Sequence, residues 1–189
     1  DSGIEWIGDI PEHWEVRKMK FIFKYISRGT TPNYVDESDY FVVNQATFSK
    51  GYFDLENIRY TKPINKNGSL LKENDLLMAS TGTGVLGKVS IFKNIEGNFI
   101  ADSHVTIIRN NYNIICMDFA FYYWSTLYEY INVQLAKGAT NQTELQRELL
   151  RNEKIPYPPF SEQKEIAAYL EKVDKETNRL IELNHRAIE

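Results

Sequence analysis

From Ser161 to Glu189 the chain runs for 29 residues without a glycine or a proline, directly after Pro158-Pro159. That pairing admits little except a long helix. The prolines stop whatever precedes them, Ser161 suits an N-cap, and Glu162 falls at the positive end of the helix dipole. Ile166, Val173, Leu180 and Ala187 recur every seven residues, with Tyr169 and Leu183 between them; Leu170 and Ile181 widen the stripe, while Glu176 and Asn184 interrupt it. At ~1.5 Å per residue this helix spans roughly 43 Å, more than a small domain needs. Leaving about four large side chains wet forfeits on the order of 1.5–3 kcal/mol each, so the stripe calls for another helix. The competing reading is an ordinary terminal helix folded back on its own sheet.

The residues before it have a different texture. Phe21 to Ile26, Tyr40 to Val43, Leu76 to Met78, Val89 to Phe92 and Val105 to Ile108 are short β-type runs, punctuated by Gly29-Thr30-Thr31-Pro32, a glycine-rich link at 82–87, and Asn110-Asn111. Between Asp118 and Leu135 the period changes, and Ala120, Trp124, Leu127, Ile131 and Leu135 predict one amphipathic helix. Thr143 with Gln146 three residues on matches a capping box for a further short helix carrying Leu145 and Leu149. The expected architecture is α/β (α+β): a mixed-sheet domain over residues 1–160, then a coiled-coil-type helix over 161–189. With 42% apolar residues, 12 Tyr and 10 Phe, a packed core is expected and a disordered chain excluded. One cysteine, Cys116, excludes an internal disulfide framework and a Cys-rich zinc site. There is no run of 18 apolar residues, and the start is acidic from Asp1 to Asp9, so neither a membrane span nor a signal peptide is expected, in keeping with a cytoplasmic location.

Several motifs look catalytic and fail on context. Gly82-Thr83-Gly84-Val85-Leu86-Gly87-Lys88-Val89 imitates a dinucleotide fingerprint, a P-loop and a kinase glycine loop. Val89 stands where a P-loop needs Ser or Thr for magnesium, and the following residues read as strand where a phosphate-binding helix is required. A tight strand–turn–strand fits better. In Pro156-Tyr157-Pro158-Pro159-Phe160 a tyrosine occupies the position where amino-group methyltransferases carry a polar side chain that accepts from the target amine. His13, His104 and His185 are scattered, with Glu182–His185 reading as a surface pair, so no metal site is expected. Asp102-Ser103-His104 evokes a hydrolase, but adjacent residues rarely assemble a triad and there is no Gly-x-Ser-x-Gly elbow.

What remains is a set of polar loops at strand and helix ends: Gly29 to Asn33, Asn44-Gln45, Ser80 to Thr83, Asp102 to His104 and Lys137 to Gln142. Such residue types read base edges and phosphates, and they also fill ordinary loops. The net charge of −4 gives no basic footprint. Residues 1–60 hold 7 basic and 10 acidic groups, 61–160 hold 10 and 9, and 161–189 hold 5 and 7. A DNA-binding role would therefore rest on a few placed contacts, with most phosphate neutralised by a partner.

Ser2-Gly3-Ile4-Glu5-Trp6-Ile7-Gly8 followed by Ile10-Pro11-Glu12-His13-Trp14 resembles the start of the specificity subunit of type I restriction–modification enzymes. Gly29 to Pro32, Asn74 to Met78 leading into Gly82-Thr83-Gly84 and Gly87-Lys88, and Gly138 to Gln142 are similar to further segments of that family. The strongest match is Ile155-Pro156-Tyr157-Pro158-Pro159-Phe160-Ser161-Glu162-Gln163-Lys164-Glu165-Ile166-Ala167, which resembles its junction from recognition domain to spacer helix. The resemblance implies a non-catalytic target recognition domain that reads one half of a split site in double-stranded DNA. It also implies methyltransferase subunits that use S-adenosylmethionine and a restriction subunit that uses ATP and Mg, with no cofactor in this chain. Such subunits usually carry two domains and two helices; this chain has one of each, as a half-subunit or a fragment.

The expected DNA-facing residues are Thr30, Thr31, Ser80, Thr81, Thr83, Lys88, Lys137, Asn141 and Gln142. Ile166, Tyr169, Val173, Leu180, Leu183 and Ala187 are expected to form a homodimer seam or to meet a second spacer helix. The rival from another class is a protein-interaction module, an α/β domain that oligomerises through its helix without touching DNA.

Overall fold

The computed structural model describes residues 2–4, 6–64, 68–110, 114–138 and 143–188, with side chains through Arg186 in the last helix. In chain order the elements are β1 (Glu15–Lys18), α1 (Met19–Ile22), β2 (Tyr25–Arg28), β3 (Tyr34–Val35), β4 (Tyr40–Val43), α2 (Gln45–Phe48), β5 (Arg59–Thr61), β6 (Asp75–Ala79), β7 (Val89–Phe92), β8 (Asn98–Ala101) and β9 (Val105–Arg109). Then come α3 (Met117–Ser125), α4 (Tyr128–Tyr130), a π-helical turn (Ile131–Leu135), β10 (Ala136–Lys137), β11 (Glu144–Leu145), α5 (Arg147–Asn152), β12 (Lys154–Tyr157) and α6 (Phe160–Ile188).

The central sheet has the order β2-β9-β6-β7 and is antiparallel throughout. A second sheet, β3-β5-β4-β8, is mixed, with β4 and β8 parallel. Side chains of a strand alternate between faces, and here both faces are covered. Leu76, Met78 and Ile108 join Met19, Ile22, Trp124 and Ile131 in one core. Leu77, Ala79, Val105 and Ile107 join Val43, Phe48, Phe92 and Phe99 in the other. Every residue of β6 is buried as a result. One end of the β6–β9 pair is closed by an ion pair, in which Arg109 donates Nε and Nη2 to the fully buried Asp75, each at 2.6 Å. The other end, beyond Ala79 and Val105, is where the polar loops gather.

Four expectations change. Residues 21–26 are not one strand. Met19, Ile22 and Phe23 are buried at helical spacing while Phe21 is 71% exposed, so the segment begins as α1 and becomes strand only at Tyr25. The helix expected over 118–135 is broken after Ser125. Ser125 and Thr126 donate their hydroxyls to the Tyr122 and Tyr123 carbonyls, and Asn132 Nδ2 donates to both Tyr128 O and Leu86 O, which ties a wider turn to the glycine link. Its stripe survives the break: Ala120, Trp124, Ile131 and Leu135 are buried and Leu127 is partly so. No helix starts at Thr143, because Leu145 N donates to Ser80 O and Gln146 N to Leu135 O, and the helix waits until Arg147. The long helix begins at Phe160, one residue before Ser161.

The junction into α6 explains its own sequence. Glu162 accepts from His13 Nε2 at 2.7 Å and Trp14 Nε1 at 2.9 Å, so the Ile-Pro-x-x-Trp start and the Glu-Gln junction meet in space. Gln163 is fully buried; its Oε1 accepts from Cys116 N and its Nε2 donates to Pro158 O, both at 2.8 Å. Ala167 is buried beyond it and Ile166 half-buried, so the first turns of the helix pack with the domain although they lie past residue 160. Further out the helix leaves the domain. Tyr169 is 67% exposed, and Val173, Leu180, Ile181 and Leu183 are exposed as well, which sets aside a helix folded along its own sheet.

Gln163→Ala should leave the part-buried Cys116 N–H and the buried Pro158 carbonyl without partners. The expected loss is about 2–3 kcal/mol of unfolding free energy by urea denaturation. Glu162 lies below the ordinary carboxylate range because Trp14, and then His13, hydrogen-bond its charged form. A carboxylate with a lower pKa in the folded state stabilises the fold above its unfolded value and loses that contribution as pH falls through the folded value. Urea curves taken down a pH series should therefore show this support intact at neutral pH and fading below about pH 4, and Glu162→Gln should flatten that limb.

Candidate nucleic-acid interface

Five strand ends converge at the open end of the central sheet. β2 leaves it at Arg28, β6 at Ala79 and the parallel pair β4/β8 at Val43 and Ala101, while β9 enters at Val105. Contact between the layers is close enough to require glycine. A Cβ on Gly29 would stand 2.1 Å from Ala101 O, and the neighbouring Thr30 N donates to that same carbonyl at 3.0 Å. The glycine link is a turn between β6 and β7, with positive φ at Gly82, Gly84 and Gly87, and not the entrance to a phosphate-binding helix.

At this edge Thr81 is the hub. Its Oγ1 lies 3.2 Å from Gln45 Oε1 and 2.9 Å from His104 Nδ1, and its backbone pairs with Glu144. Arg28 donates Nη2 to Ser80 O at 3.2 Å and Nη1 to Glu144 Oε2 at 3.5 Å. Asp102 is buried and shapes the β8–β9 turn by accepting from His104 N at 2.8 Å; burial raises its carboxyl above the usual range, against the pull of that N–H and of Arg28. The Asp102-Ser103-His104 string is thus a turn whose histidine ring faces Thr81, with no triad geometry.

The expected site residues divide accordingly. Thr30, Thr31, Thr81 and Thr83 lie at the edge, with Thr31 and Thr83 exposed. Ser80 is fully buried, and its hydroxyl is engaged by Thr106 Oγ1 at 2.6 Å and Met78 O at 3.3 Å, so it serves the core and presents nothing outward. Lys88 is exposed where the turn rejoins β7, with Nζ donating to Ser49 O at 3.0 Å. Lys137 is exposed opposite Glu144 on the β10–β11 pair, which in turn bridges to Thr81. Asn141 and Gln142 lie outside the described residues. So does Glu5 of the N-terminal motif. On the helix, Ile166, Tyr169, Val173, Leu180 and Leu183 are placed as above, and Ala187 is in α6 with its side chain undescribed. Arg28 and Glu144 were missed. The signal for Arg28 was a lone cation ending a strand beside Gly29; Glu144 had none, because its segment read as helix.

A two-layered α/β domain with hydrogen-bonding side chains collected at strand ends, and an amphipathic helix leading away from it, defines a recognition module on an arm. Residues 11–189 match the family described as type I restriction modification DNA specificity domain, and the chain belongs to that family. It is 29% identical over 194 residues to a protein of Methanocaldococcus jannaschii provisionally named type I restriction enzyme MjaX specificity subunit, covering 96% of this chain and 45% of that one. It is also 29% identical over 189 residues to the type I restriction enzyme MjaVIII specificity subunit of the same organism, covering 95% and 43%. The chain thus spans under half the length of these relatives. The crystal structure of the HsdS subunit from Thermoanaerobacter tengcongensis has the same fold, with a TM-score of 0.69 at 18% identity over 92% of this chain and 40% of that one. Among the described residues no helix is long and apolar enough to cross a membrane.

Proposed function

We propose that this domain reads one half of a bipartite DNA site for a type I restriction–modification system, and that it works without catalysing anything itself. The observation that carries the reading is the polar edge: Thr81, Gln45, His104, Arg28 and Glu144 are interlocked by hydrogen bonds at the ends of strands from both sheets. Side chains held that way on a packed core keep a fixed pattern of donors and acceptors, which is what base recognition needs. The chain as a whole is acidic, so the partner methyltransferase subunits supply most phosphate contacts and all S-adenosylmethionine chemistry, and the restriction subunit supplies ATP- and Mg-dependent chemistry, in the cytoplasm. In a gel shift with the methyltransferase subunit present, Lys88→Ala and Lys137→Ala should each weaken binding about equally on every sequence and flatten the salt slope by about one unit. No sequence-specific shift by the wild type across a broad target library, with and without that subunit, would refute the reading.

The exposed stripe of α6 supports the second half of the proposal: it pairs antiparallel with another spacer helix, which for this chain alone is a second copy, about a two-fold axis. Two domains then sit at opposite ends and read the two half-sites, with their spacing fixed by the helix. Lys175–Glu171 places an ion pair away from the stripe, consistent with a solvated outer face. Val173→Glu with Leu180→Glu should leave the domain folded by circular dichroism yet abolish pairing in sedimentation. A wild-type chain that stays monomeric well above micromolar concentration would refute self-pairing.

A further inference from the structure

Thr81 has one hydroxyl hydrogen and two partners, Gln45 Oε1 at 3.2 Å and His104 Nδ1 at 2.9 Å. With the imidazole neutral and Gln45 Oε1 turned toward Thr81, the hydroxyl donates to the Gln45 carbonyl and accepts from His104 Nδ1–H. The free ends are then the Gln45 amide NH2, a donor, and His104 Nε2, an acceptor, so the pair offers one donor and one acceptor.

Among the described residues, neither the far end of the Gln45 amide nor His104 Nε2 has a hydrogen-bond partner, and His104 is exposed. Gly82 belongs to the same device. Its φ is +90°, and a Cβ there would press to 2.9 Å from the outer atom of the Gln45 amide. Gln45 itself is fixed from below, because Asn44 caps α2 through Thr47 and so sets the backbone from which it projects.

We infer that Gln45, Thr81 and His104 act as one base-reading unit that takes a base edge carrying an acceptor beside a donor. Among purines that edge belongs to adenine, with N7 and N6, whereas guanine offers two acceptors, O6 and N7, and would leave the acceptor of the pair facing another acceptor. The inference rests on the DNA-reading proposal and assigns the residues and the base class within it. Thr81 is a positioning residue here; Gln45 and His104 touch the base.

The test is selection of bound sites from a random DNA library by the methyltransferase complex carrying the full specificity subunit, wild type and variants. The wild type should prefer adenine over guanine at a defined position of one half-site. Thr81→Val should reduce that preference roughly tenfold at that position alone, with binding to unrelated DNA unchanged. Thr81→Ser keeps the hydroxyl and should keep the preference. Gln45→Ala and His104→Ala, both at the edge, should relax the same position, which covers the case of a Thr81→Val protein that fails to fold. A selective wild type whose variants keep the preference, or lose it at unrelated positions, overturns the unit and spares the DNA-reading proposal. A wild type that selects no sequence at all overturns both.

Discussion

The arrangement depends on a single buried amide. Gln163 sits inside the first turns of the long helix with no exposed surface, and both ends of its side chain are spent, one on the N–H that opens α3 and one on the carbonyl of Pro158. A long arm held only by apolar contact would swivel at its base. Two hydrogen bonds in a buried place remove that freedom, because any rotation leaves an unpaired amide group in the core. The neighbouring Glu162 works in the same direction from the surface by drawing in His13 and Trp14. The direction in which α6 leaves the domain is therefore set by the core.

The other end of the molecule obeys the complementary rule. The central sheet is apolar on both faces and shut at one end by Asp75 and Arg109, so its freedom to carry polar, outward-facing chemistry is confined to the opposite strand ends. Ser80 and Asp102, buried just beneath, give the polar layer there a fixed floor.

Much of this was legible in the sequence, for identifiable reasons. The helix after Pro158-Pro159 was readable because nothing in 29 residues offers the backbone an alternative, and its uncovered stripe followed from length alone. The strands at 40–43, 76–78, 89–92 and 105–108 were readable from β-branched and aromatic runs between turn residues. The errors have a common cause. At 21–26, 118–135 and 143–146 local pattern was overruled by groups distant in sequence: the core that takes Met19 and Ile22 but not Phe21, the Leu86 carbonyl that takes Asn132, and the Ser80 carbonyl that takes the Leu145 N–H. The site suffered likewise. Thr81 was expected at the DNA-facing edge only as one polar loop residue among several; its place as a hub needs Gln45 and His104, 36 and 23 residues away, while Ser80, expected at the same edge, faces inward.

Reading of one half-site by this domain, with the spacing to the other fixed by the helix as proposed above, is open to a domain exchange. The most direct measurement exchanges residues 1–160 in the full specificity subunit for the recognition domain of a relative with a different target, then maps modified bases across a genome methylated by the reconstituted enzyme. One half of the modified motif should change to the relative's half-site while the other half and the spacer length stay as they were. An unchanged motif, or a change in both halves or in the spacing, would contradict it.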